Sequence, residues 1–140
     1  SDLRGILARE NASVVDSLGE YLKKYGKNPQ DLNVLVVCGI HMKSFKYNVN
    51  DPMWKEVNLK IFDHFIKKHG KDAVPFGTQK GNLNLFGIIK EQLIRIGCDP
   101  KKIESDGRDT YSDISLHSHY RSKELKEEGL ERNLILVINK

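Results

Sequence analysis

The sequence predicts an α/β fold, also describable as α+β, in one domain over residues 1–140. Three observations carry that prediction. Apolar residues recur at helical spacing in three separate segments. Two short runs, Val34–Val37 and Leu134–Ile138, are continuously apolar and rich in β-branched residues, which marks buried strands. Glycine and Asn/Asp-Pro pairs punctuate the chain between these segments.

Ile6–Tyr25 predicts the first helix, with Leu7, Val14, Val15, Leu18, Leu22 and Tyr25 on its apolar face. Gly26 supplies a C-terminal stop, and Asn28-Pro29 forbids continuation. Leu32–Val37 follows as a strand and breaks at Cys38-Gly39. Glycine there lets the backbone turn sharply or approach another group closely. The loop that follows, up to Val49, holds His41, Lys43, Lys46 and Tyr47. A strand, a glycine and then a loop of reactive side chains is how many α/β proteins present a site.

Asp51-Pro52 opens a second helix, with Asp as N-cap and Pro at the first helical position. This helix should run to about His69, pack Trp54, Val57, Ile61, Phe62 and Phe65, and stop at Gly70. Ala73–Phe76 predicts a short extended piece, and Gln79–Asn82 a polar loop. Asn82 or Asn84 caps a third helix whose face is Leu85, Phe86, Ile89, Leu93 and Ile96, with Gly97 as its stop. Asp99-Pro100 begins the next connection; Lys101–Ser105 predicts a short strand before an Asp106-Gly107 turn. Thr110–Arg121 reads as extended and partly looped, Lys123–Gly129 as a charged turn or short helix, and Leu134–Ile138 as the closing strand. The order is α-β-α-α-β-β. A start on a helix, with so few strands, implies a preceding β-rich segment.

Composition excludes several function classes. With 39% hydrophobic and 30% charged residues the chain reads as globular and soluble. No apolar run reaches the roughly 20 residues needed to span a bilayer. Two cysteines, Cys38 and Cys98, make no disulfide framework, so reduced thiols and a cytoplasmic location are expected. The net charge of +4 suits a phosphate-bearing ligand or nucleic acid, against the plainer reading of a solvated lysine-rich surface. Lysines alternate with acids, as in KELKEEGLERN, and no basic stripe interleaves with aromatics, so there is no strong nucleic-acid signal.

Cys38-x-x-His41 could supply two metal ligands from one loop, against the plainer reading of a buried strand-end thiol and an incidental histidine. His117-x-His119 would share one face of an extended segment, but no third ligand is evident nearby. His64 falls near the middle of the second helix; His69 falls near its end, where it complements the helix dipole. Arg4 and Arg121 are candidates to clamp phosphate or carboxylate bidentately, against the plainer reading of ordinary ion pairs. Tyr47, Tyr111 and Tyr120 could stack on a base or simply pack.

Three ordered blocks carry a family resemblance. SDLRG, followed by a helix, resembles a His-Ala-Gly-Trp-Arg-Gly motif through Arg4 and Gly5, with the histidine falling before Ser1. YGKNPQDLNVLVVCGIHMKSFKYNV resembles a helix end, an apolar strand, Gly-Pro and then Cys-Tyr-Glu-Val; Gly39, Tyr47 and Val49 match. GNLNLFGIIKEQLIRIGCDPKKIE, DTYSD, HYRS and RNLILVIN resemble a Leu-Asp-Leu helix start, a Gly-Val helix end, Cys-Thr-Tyr, Phe-Ser-Tyr-Arg-Arg and an arginine-led final strand. Thr110, Tyr111, Tyr120, Arg121 and Arg132 fall into place there. Together these resemble the C-terminal part of the laccase-domain family, also called the polyphenol oxidase or multicopper polyphenol oxidoreductase family. Its members include purine nucleoside phosphorylases.

The resemblance implies a layered sandwich of mixed β-sheet with packed helices, lacking here an N-terminal β-rich part. It also implies a site of two histidines and a cysteine that binds zinc, with copper also proposed, and that supports phosphorolysis or deamination of purine nucleosides. Imidazole and thiolate suit such an ion, and an open position activates water or substrate. In this reading Arg4, Tyr47, Tyr111, Tyr120 and Arg121 contact purine nucleoside and phosphate. Cys38, His41 and Lys46 are the candidate catalytic residues, and His41, His64 and His69 the candidate metal ligands. The departures are sharp. Lys46 stands at the cysteine position, or Phe45 if the register shifts by one; Ile40 replaces the proline, Asn48 the glutamate and Asp109 the first cysteine of the third block. A lysine ammonium cannot replace a thiolate ligand. Two expectations result: a family enzyme whose ligands come partly from outside the chain or from a relocated site, or a degenerate member that binds a ligand without the chemistry.

Overall fold

The predicted helix over 6–25 does not run unbroken: Ser13 is extended backbone and starts the first described helix, α1 (Val14–Lys24), through a reciprocal capping box. Its hydroxyl accepts from the Asp16 N–H at 3.1 Å, and the Asp16 carboxylate accepts from the Ser13 N–H at 2.8 Å. The helix ends as the sequence predicts. Gly26 takes a φ of 60°, Gly26 N donates to Lys23 O, and Lys27 N donates to Leu22 O, a Schellman arrangement that needs the left-handed residue. The computed structural model describes residues 13–37, 39–48, 56, 59, 63, 67, 80–82, 84–126 and 133.

From Gly26 the chain passes through a single 3-10 turn, Pro29–Asp31, capped by Asn28, into strand β1 (Val34–Val36). The same device recurs later. Helix α2 (Leu85–Arg95) is capped by Asn84 rather than Asn82. It ends at Gly97, φ 103°, with Gly97 N on Ile94 O and Cys98 N on Leu93 O. A second 3-10 turn, Pro100–Lys102, capped by Asp99, leads into β4 (Ile103–Ser105). The two helix–turn–strand units lie side by side: β1 pairs with β4 in parallel, Val34 opposite Ile103, and α1 packs on α2. Between helices and strands sits the core of Val15, Leu93, Cys98 and Ile103, flanked by Leu18, Leu32, Val34, Phe86, Ile89 and Ile96. Cys98 is a free, buried thiol, and burial pushes its pKa up, as expected of a small core residue rather than a nucleophile.

Beyond the start of α1, three further predicted elements are corrected. The polar stretch after β1 does not stay a loop to Val49: Lys46–Asn48 forms a strand, β2. Gln79–Asn82 is likewise not all loop, because Lys80–Asn82 forms β3, antiparallel to β2 with Tyr47 opposite Gly81. At three residues each, KYN and KGN are too short to signal a strand by periodicity, and their pairing defines them. Third, Thr110–Arg121 is not extended: turns occupy its first part and helix α3 (His119–Leu125) begins within it, capped by the buried Ser118. His117 and His119 therefore straddle a helix cap instead of sharing one face of a strand.

Of the second predicted helix, Glu56, Leu59, Asp63 and Lys67 are helical and exposed, at spacings that mark an outer face. The first part of the predicted first helix, Ala73–Phe76 and Leu134–Ile138 lie outside the described residues. The architecture is α/β. No helix among the described residues is long and apolar enough to cross a membrane.

Candidate functional site

Beyond β1 and β4 the two chains keep running together. Asp106 N donates to Val36 O at 3.2 Å, and Gly39 forms a further parallel bridge with Asp109, Thr110 N donating to Gly39 O at 3.1 Å. This brings the loop of residues 39–45 against the turn of residues 109–113. The loop closes on itself, with Ser44 N and Phe45 N both donating to His41 O at 2.9 Å.

Asp109 joins the two segments. It is 6% exposed and accepts four hydrogen bonds: from His41 N at 3.0 Å, Ser44 Oγ at 2.5 Å, Tyr111 N at 3.1 Å and Ser112 Oγ at 3.1 Å. Burial pushes its pKa up, but these bonds favour the anion and outweigh it, leaving the carboxyl below its ordinary value. The sequence shows Asp109 only as a replaced cysteine. No sequence signal points further: an Asx-turn to the N–H two residues on is open to almost any Asp, and the loop donors lie 68 and 65 residues away.

Arg121 organises the adjoining turn. Its Nη1 donates to the carbonyls of Thr110, Tyr111 and Asp113 at 3.0, 2.9 and 3.2 Å, and its Nη2 to that of Leu116 at 2.7 Å. On its outer side, Arg108 bonds Asp113 and Ser115, and Asn133 brackets the backbone of His117 with two bonds of 2.8 Å. Aromatic rings tie the loop to α3. Phe45 meets Tyr120 edge-on with centroids 5.7 Å apart, and Tyr120 lies 5.8 Å from Tyr111. The Tyr111 hydroxyl donates to Glu124 at 2.5 Å; that bond and the neighbouring negative charge raise the phenol's pKa, while burial does the same for Tyr120.

The structure thus brings together His41, Tyr111, Tyr120 and Arg121. His41 is exposed on the loop surface. Lys46 and Tyr47 are placed in β2 by their backbone. Arg4, Cys38, His64 and His69 lie outside the described residues. Among the described residues no group of three or more His, Cys, Asp or Glu could hold a metal ion. The Asp109 carboxylate is committed to four protein donors.

A scaffold of two packed helices and two parallel strands, with a polar loop at the C-terminal end of β1, defines the class as an α/β protein. Residues 4–137 match the family described as multi-copper polyphenol oxidoreductase laccase, and the chain belongs to that family. Its fold is similar to the crystal structure of Bacillus licheniformis hypothetical protein YfiH, with a TM-score of 0.63 at 16% identity, over 79% of this chain and 40% of that one. The chain therefore spans well under two thirds of that protein's length. No curated protein matches the chain.

Proposed function

We propose that the chain is a cytoplasmic laccase-domain protein that binds a purine nucleoside and phosphate beside the loop of residues 39–45 and strand β2, without the family's metal chemistry. One observation carries the reading: the positions where the family resemblance expects cysteines hold Lys46 and Asp109, and Asp109 is consumed in loop structure. Lys43 and Lys46 supply positive charge for phosphate, and Tyr47, Tyr111 and Tyr120 supply aromatic faces for the base. Arg121 contributes by holding the turn beneath the tyrosines.

A second reading, a zinc-dependent phosphorylase or deaminase of purine nucleosides, draws support from the family match over residues 4–137 and from the exposed imidazole of His41. In that reading His41, His64 and His69 are the zinc ligands. One experiment separates the two: metal content of the purified full-length protein, adenosine and inosine turnover with phosphate, and adenosine affinity by calorimetry. Binding without stoichiometric zinc or turnover supports the first reading. Zinc with turnover overturns it in favour of the second, and absence of binding and turnover overturns both. Lys46→Cys is expected to add metal affinity but no rate.

A further inference from the structure

We infer that Asp109 is the positioning residue of the loop that carries His41, fixing that loop's place relative to the tyrosines of α3 and the adjoining turn. The inference rests on the reading that this loop is the ligand site. Its basis is the division of labour between the two carboxylate oxygens. Oδ1 accepts from His41 N of the loop and Tyr111 N of the turn; Oδ2 accepts from Ser44 Oγ of the loop and Ser112 Oγ of the turn. Each oxygen therefore takes one donor from each segment, across sequence separations of 68 and 65 residues for the two loop donors.

Only a carboxylate can accept all four in this geometry. An amide has one oxygen acceptor, so it would keep the Oδ1 pair and require both serine hydroxyls to reverse. A thiol would lose most of the contacts, because sulfur is a weak acceptor.

The loop responds as a body. His41 O accepts from both Ser44 N and Phe45 N, so residues 41–45 form a closed turn. Asp109 holds that turn at its start and through Ser44, and the Phe45–Tyr120 edge contact holds it at its end. The β1–β4 pairing and the Thr110–Gly39 bond lie outside these contacts. Loss of the carboxylate thus frees the loop while leaving the scaffold paired.

The test is residue-resolved hydrogen exchange on the full chain, with adenosine titration, for wild type, Asp109→Ala, Asp109→Asn and Ser44→Ala. Exchange of amides 41–45 is expected to rise about tenfold or more in Asp109→Ala, with smaller rises in Ser44→Ala and Asp109→Asn, and with α1 and α2 little changed. Adenosine affinity should fall in the same order. Unchanged loop exchange, or an equal rise through the helices, overturns the inference. Should Asp109→Ala fail to fold, wild-type exchange in both Ser44→Ala and Asp109→Asn overturns it equally. A loosened loop in a protein whose wild type binds no adenosine supports the positioning role and removes only the functional reading beneath it.

Discussion

Arg121 donates from Nη2 to the carbonyl of Leu116 at 2.7 Å, and the same guanidinium reaches three more carbonyls through Nη1. Residues 110–116 carry turns rather than a regular ladder, so a side chain supplies donors that a strand or helix would take from backbone. A planar fork fits this task better than an ammonium. Arg121→Ala should cost about 2–3 kcal/mol of stability, since hydrogen bonds to charged groups are the stronger ones. Arg121→Lys should recover less than half of that loss. Urea unfolding of the three proteins measures both values, and a lysine variant as stable as wild type would show that charge alone suffices.

The cap of α1 gives a second prediction. Ser13 is fully buried and shares a capping box with Asp16, so loss of its hydroxyl leaves the Asp16 N–H without its acceptor. Ser13→Ala should destabilise by about 1–2 kcal/mol. Asp16→Ala should cost at least as much, because it leaves the buried Ser13 N–H and hydroxyl without their acceptor. The double variant should lose less than the sum, since both members serve one motif. Additive losses in denaturant titrations would mean that the two caps act independently.

Much of this was legible in the sequence, for reasons these residues make plain. Gly26 and Gly97 stop their helices because only glycine takes the left-handed turn cheaply, and Asn28-Pro29 and Asp99-Pro100 cap and open the 3-10 turns that follow. Local rules of this kind act within a few residues. What local rules miss is pairing at a distance. Lys46–Asn48 and Lys80–Asn82 become strands only in each other's presence. Asp109 matters through donors 65 and 68 residues away, so no nearby pattern announces it. The residues expected to act on ligand include Arg121 and Tyr111, whose polar atoms bond the turn and Glu124.

Helix packing supplies a third prediction. Gly19 faces Ile96, and a Cβ placed on it would sit 3.0 Å from Ile96 Cγ2 and 3.3 Å from Ile96 Cβ. Alanine in a helix interior gains up to about 1 kcal/mol over glycine, but the nearer contact involves a branch carbon that cannot swing away. Gly19→Ala should therefore be net destabilising, by about 1 kcal/mol. Moving the branch outward with Ile96→Leu should relieve the contact, so that Gly19→Ala stabilises in that background. A double-mutant cycle by thermal unfolding reads the coupling, and a stabilising Gly19→Ala in wild type would show that α1 and α2 can part freely.

The outer edge of the same turn sets an acid limit. Asp113 accepts from Ser115 Oγ at 2.6 Å and Ser115 N at 3.0 Å, and Arg108 lies against its other oxygen at 2.7 Å. The Ser115 hydroxyl and the Arg108 guanidinium, with the Ser115 N–H, favour the anion and lower the carboxyl to about 2. A carboxylate depressed in the folded state lends stability above the ordinary carboxylate range, and loses it as pH falls through the folded value. The contribution should therefore fade between the ordinary range and pH of about 2. Ser115→Ala and Arg108→Ala should each move the Asp113 carboxyl titration upward, toward the ordinary range, as followed by its side-chain carbon resonance. The wild-type turn should then hold its Arg108–Asp113 contact at acidities where Ser115→Ala has released it. Identical titrations in all three proteins would place the cause of the shift outside this cluster.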